Sequence, residues 1–293
     1  MSLALNQRTT KRWSVAEAVE GCVRHGLEAV GLWREEVAEQ GLAESVKLVR
    51  DAGLRVSSLC RGGFLTTPGG TASGGGGAGR ARQAALDDNR RAIDEAAELG
   101  AACLVMVVGG LPGVRPGEPL PDAGVSRDLA GAREQVAEAL EVLAPYAGER
   151  GVKLALEPLH PMYCADRAVL STLAQAVDLC LPYPEEQVGV VVDTFHVWWD
   201  PRLFEEIARA GRRIASYQVC DFLQPLPSDV LLGRGMMGDG VIDFPPITRA
   251  VAEAGYAGDV EVEIFNADLW AADPDEVVAT MKRRYAQVVT GTP

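Results

Sequence analysis

Short apolar runs recur along this chain, and between them charged residues return every three to four positions. The runs predict strands over residues 3–6, 27–33, 54–59, 103–108, 152–156, 188–192, 214–219 and 260–264. The charged stretches predict helices over residues 14–25, 81–99, 127–150, 167–181 and 275–288. Several helical stretches end in glycine just before the next strand, as in HGLEAVGLW, DAGLRVSSL, LGAACLVMV and RGVKLALEP. A left-handed glycine there stops the helix. Such regular alternation of strand and helix predicts a parallel sheet covered by helices.

Eight units of this kind close into a (β/α)8 barrel of the α/β class. An open doubly wound sheet would usually show a glycine-rich phosphate turn after its first strand, and neither GxGxxG nor GxxxxGKS follows a strand here. The length of 293 residues, 47% of them hydrophobic, fits one domain over residues 1–293. Two long loops are expected at the catalytic face, over residues 61–81 and 109–126. The first contains the low-complexity run TTPGGTASGGGGAG at residues 66–79, too rich in glycine to pack a core, which reads equally as a lid or as an idle insertion.

Composition narrows the partners. A net charge of −13 repels phosphate backbones, and no basic stripe interleaved with aromatics is present, so nucleic acid is not expected. No apolar run is long enough for a bilayer span, and the N-terminus MSLALNQRTTKRWS is too short and polar for a secretory core; a cytoplasmic protein is expected. The six cysteines are far apart, with no CxxC pair, which predicts free buried thiols.

In barrel enzymes the chemistry lies where strands end. VKLALEP delivers Glu157, VGVVVDTFH delivers Asp193, IASYQVCD delivers Gln218, and DVEVEIF delivers Glu263. One such acid reads equally well as a helix cap or a rim salt bridge. Three converging carboxylates, by contrast, are costly to bury unless they share a proton or bind a cation. With an amide oxygen they form an oxygen-rich set suited to one divalent metal ion, Mn²⁺ or Mg²⁺. His196 and His160 each lie three residues beyond a strand-end acid, His160 in a His-Pro pair that also suits a turn; Trp33 and Arg61 close earlier strands, with access to the same mouth.

With these residues assembled, the chain resembles the xylose isomerase-like TIM barrel superfamily, in particular its sugar phosphate isomerase/epimerase group of ketose 3-epimerases and hydroxypyruvate isomerases. The resemblance runs over nearly the whole chain and is carried by LALEPLHPMY, VVDTFHVWWDP, RGMMGDGVIDFPPI and VEVEIF. It implies that Glu157, Asp193, Gln218 and Glu263 ligate the metal, that Glu157 and Glu263 act as acid and base on opposite faces of a carbohydrate-like substrate, and that His196 and Arg234 touch that substrate. It also implies a homodimer or homotetramer. Two departures matter. Gln218 stands where the family usually has histidine, although hydroxypyruvate isomerase-like members carry glutamine. Leu159 stands where xylose isomerases have lysine after Glu-Pro, which favours proton transfer through a metal-stabilised enediolate over a hydride shift. The endonuclease branch needs a histidine-rich site, and this chain has three histidines in all. The expected activity is that of a metal-dependent isomerase or epimerase. The same residues also suit a lyase eliminating a β-substituent from an oxidised sugar or C-glycoside-like conjugate, or a catalytically silent sugar-binding barrel.

Overall fold

The computed structural model describes residues 1–67, 77–121 and 124–290. Eight parallel strands form a closed barrel: β1 Leu3–Asn6, β2 Ala29–Trp33, β3 Arg55–Gly63, β4 Leu104–Val107, β5 Leu154–Leu156, β6 Val188–Asp193, β7 Ile214–Val219 and β8 Val260–Val262. Closure is made by β8 beside β1, with Leu3 opposite Val260 and Leu5 opposite Val262.

All eight predicted strands are present, and several begin later than the apolar pattern suggests. The reason is the helix cap. Gly26 takes φ 64°, and the next residue, Leu27, donates its N–H to Cys22 of the preceding helix, so β2 starts only at Ala29. Val152 is used the same way, donating to Ala147, and β5 starts at Leu154. The helix predicted over residues 167–181 spans only Leu173–Cys180, because a reciprocal capping box between Thr172 and Gln175 sets its first turn. A two-stranded antiparallel ribbon, Asp221–Phe222 with Arg234–Gly235, was not predicted: each strand is too short to show periodicity. Of the glycine-rich run, residues 68–76 lie outside the described residues.

Strand alternation divides the apolar side chains between two cores. The larger packs strands against helices; the smaller, including Cys103, Val105, Ala155 and Val191, fills the barrel interior. Inward positions continue upward from this plug, so Ala155 is followed two residues on by Glu157, and Val191 by Asp193. Tyr217 points outward, with its hydroxyl 2.8 Å from Thr248 Oγ1, which turns Gln218 inward beside Asp193. Space inside is tight. A Cβ on Gly31 would lie 2.4 Å from Glu261 Oε1, so glycine there makes room for that carboxylate. The cysteines are free and five of the six are buried. Among the described residues no helix is long and apolar enough to cross a membrane.

Candidate active site

At the C-terminal end of the strands a pocket of about 510 Å³, its open mouth included, is lined by Glu157, Glu263, His196, Arg234, Trp33 and Arg61, among others. Donor atoms of Glu157, Asp193 and His196 lie within 4.8 Å of one another. Glu263 is linked to this group by Arg234, whose Nη1 is 2.7 Å from Asp193 Oδ2 and 3.2 Å from Glu263 Oε2. The guanidinium arrives from the ribbon, which Asp221 secures: its buried carboxylate accepts the backbone N–H groups of Phe222, Gly238 and Ile242.

The two oxygens of Asp193 are both engaged, Oδ2 by Arg234 and Oδ1 by the N–H of Phe195 at 2.8 Å. Glu263 receives a hydrogen bond from Asn6 Nδ2 at 3.0 Å, and the same amide donates to Glu261 at 2.6 Å. Asn6 Oδ1 in turn accepts from the Trp33 indole at 2.9 Å, fixing that ring as a pocket wall. The side chain of Glu157 makes no hydrogen bond among the described residues, although it is only 5% exposed. Gln218 is fully buried, and neither its amide oxygen nor its amide nitrogen has a partner among the described residues.

His196 faces the backbone N–H of His160 through Nδ1 at 3.1 Å and Arg234 through Nε2 at 2.9 Å. A neutral imidazole accepts at one nitrogen only, so one of these contacts sets donor against donor. His160 itself is a turn residue: its Nδ1 accepts the N–H of Met162, its ring lies against Trp199 and Phe222, and it is not among the residues lining the pocket.

Burial dominates the electrostatics. It raises Glu157 far above the ordinary glutamate range, with repulsion from Glu263 and Asp193 adding to it and Arg234 opposing. Glu263 is pushed up to about 7 by burial, against the pull of Arg234. Asp193 and Glu261 are raised by burial as well. His196 is driven well below its ordinary value by burial and then by the Arg234 charge.

These shifts carry a stability prediction. An acid raised in the folded state contributes stability below its unfolded pKa and loses it as pH rises through the folded value. The depressed His196 and His160 act oppositely, and only below about pH 6.5. Chelator-treated protein is therefore expected to lose thermal stability as pH rises from about 6.5 through about 7, where Glu263 gives up its proton, and to go on losing it above that as Glu157, raised well above the ordinary glutamate range, ionises in turn. Differential scanning fluorimetry measures this directly, and a Tm that climbs across the interval would contradict it.

Three buried acids, Glu157, Asp193 and Glu263, act on Arg234, the single arginine buried among the described residues. The unpartnered Gln218 amide adds an uncommitted oxygen beside Asp193. An oxygen-rich set of this kind suits a divalent cation.

Some participants were not singled out from sequence. Asn6 closes β1, and Glu261 precedes Glu263 by one strand period, so the strand-end rule could have found both. Arg167 also lines the pocket, but it sits on a loop whose path no local pattern specifies.

A family model described as xylose isomerase-like TIM barrel matches residues 19–285. Inosose isomerase of Bacillus licheniformis is 27% identical over 157 residues, 52% of this chain and 54% of that protein. The chain thus spans about half the length of the curated relatives of this kind that it matches. Protein SMc04130 of Sinorhizobium meliloti 1021 is 47% identical over 98% of both chains, with a TM-score of 0.88. The IOLI protein, solved with a binding zinc atom, has a TM-score of 0.77 over 100% of this chain and 99% of its own at 21% identity, a likeness of fold.

Proposed function

Because this chain belongs to the xylose isomerase-like TIM barrel family, we propose that it is a divalent-metal-dependent isomerase or epimerase of a sugar, ketose or related polyol ketone. The carrying observation is that two buried glutamates, Glu157 and Glu263, line one pocket, both with raised pKa values. The similarity to inosose isomerase agrees with the substrate class.

Glu157, Asp193, Gln218 and Glu263 would hold Mn²⁺ or Mg²⁺, which would supply Lewis acidity toward a carbonyl oxygen and so acidify the adjacent C–H. Glu263, which lines the pocket with its carboxylate set by the Asn6 amide, is the general base and takes that proton on a carboxylate oxygen. Glu157, whose side chain makes no hydrogen bond among the described residues, returns a proton from its carboxyl group. Return to the same carbon from the other face gives an epimer; delivery to the neighbouring carbon gives an isomer. Asp193, fixed by Arg234 and by the N–H of Phe195, serves to hold the ion, and the two glutamates carry the proton. A substrate oxygen that accepts from Arg234 relieves the conflict between Arg234 and His196 and leaves both to orient the ligand. Trp33 supplies an apolar wall, and Arg61 lies at the same mouth.

The test is solvent deuterium exchange into a panel of ketoses and inososes, followed by NMR. Exchange is expected with the Mn²⁺-loaded protein, loss of it after dialysis against chelator, and recovery on adding Mn²⁺ back. Exchange that persists in rigorously metal-free protein would reject the metal-dependent reading.

A further inference from the structure

Arginines around the pocket mouth fall into two groups. Arg8 and Arg34 are closely paired with acids: Arg8 bonds Glu36 at 2.6 Å, and Arg34 bonds Glu95 at 2.6 Å and Asp88 at 3.1 Å. Arg234 is likewise committed to Asp193 and Glu263. Arg61 and Arg167 are not. Both line the same pocket as Glu157 and Glu263. The nearest acid to Arg61 is Glu35 at 3.7 Å, and that to Arg167 is its chain neighbour Asp166 at 3.6 Å, distances too long for hydrogen bonds. The Nε of Arg167 is enclosed without a hydrogen-bond partner among the described residues.

Aromatic rings flank both groups. The Arg61 guanidinium carbon lies 5.0 Å from the Phe64 ring and 5.5 Å from Trp33; that of Arg167 lies 5.7 Å from Tyr163. A guanidinium beside aromatic rings and short of acid partners keeps N–H donors for a carboxylate or phosphate. Burial lowers the pKa of Arg61 against the pull of Glu35, and the charges of Arg167 and Arg8 add to the lowering.

Building on the function proposed above, we infer that Arg61 and Arg167 form a subsite for an oxyanion carried by the substrate, a carboxylate or a phosphate ester, so that the preferred substrate is an acidic sugar derivative. The acid–base pair then works at the inner end of the pocket while the anion anchors the molecule at its mouth.

The test is direct binding of D-glucuronate, D-glucose 6-phosphate and uncharged D-glucose, by calorimetry or ligand-observed NMR, with and without Mn²⁺. Wild-type protein is expected to bind at least one of the anions about ten-fold or more tighter than glucose in both conditions. The Arg61→Gln and Arg167→Gln variants each lose most of that preference while keeping wild-type Mn²⁺ stoichiometry. Preference for glucuronate identifies a carboxylate, and preference for the phosphate identifies a phosphate ester. Equal binding of all three, no binding of either anion, or a preference that survives in both variants overturns the subsite. Failure of metal-dependent exchange with the anion preference intact would reject the enzymatic reading alone; exchange on neutral ketoses without any anion preference would reject the subsite alone.

Discussion

Glu263→Gln lowers metal-dependent deuterium exchange by about 10²- to 10⁴-fold, the usual worth of a positioned general base. The substitution keeps the shape of the side chain and an oxygen for the Asn6 amide, which donates to Glu263 at 3.0 Å. What it removes is the site's proton acceptor with a pKa near 7. It also removes one anionic metal donor, so the measurement is made at several Mn²⁺ concentrations with bound metal quantified. Loss of exchange at full occupancy assigns the base to Glu263. Undiminished exchange at full occupancy would move the base elsewhere, with Glu157 the next group in the pocket.

The second large effect is on stability. Arg234→Met is expected to destabilise the chelated protein by about 3–5 kcal/mol at pH 8, the cost of leaving buried charges without their partner. Arg234 is 3% exposed and contacts Asp193, Glu263 and His196 at once. Methionine retains much of the packing volume and none of the charge. Protonation of the acids softens the loss, so the destabilisation shrinks toward about pH 5. Mn²⁺ restores part of it, because the ion supplies positive charge to the same carboxylates. Urea denaturation across pH, with and without Mn²⁺, reads all three effects. A variant as stable as wild type at pH 8 without metal would show that the acids are not jointly ionised around Arg234.

Much of the barrel was legible in the sequence because the signals are local. Two-residue alternation in LALEP and VVVD determines which side chains turn inward, so Glu157 and Asp193 follow Ala155 and Val191 into the interior without reference to distant residues. Capping glycines punctuate the helices in the same local way. The strand starts were misread by two residues at β2 and β5 because the residues after Gly26 and Gly151 look apolar yet serve the helix cap. His160 was equally ambiguous: a histidine before proline can face a ligand or shape a turn, and only its contacts with Met162, Trp199 and Phe222 show the turn.

The sequence by itself determined the fold class and the set of acids at the ends of the later strands, since both follow from short-period patterns in which each residue's direction depends on its immediate neighbours. The tertiary structure alone decided which groups balance those acids. Arg234 reaches Asp193, 41 positions away, from a ribbon too short to leave a pattern. Asn6 bridges Glu261 and Glu263 only because the barrel closes β8 against β1, and Arg167 reaches the pocket on an irregular loop. Electrostatic compensation depends on distance through space, and chain closure brings to a few ångströms residues that the sequence separates by most of its length.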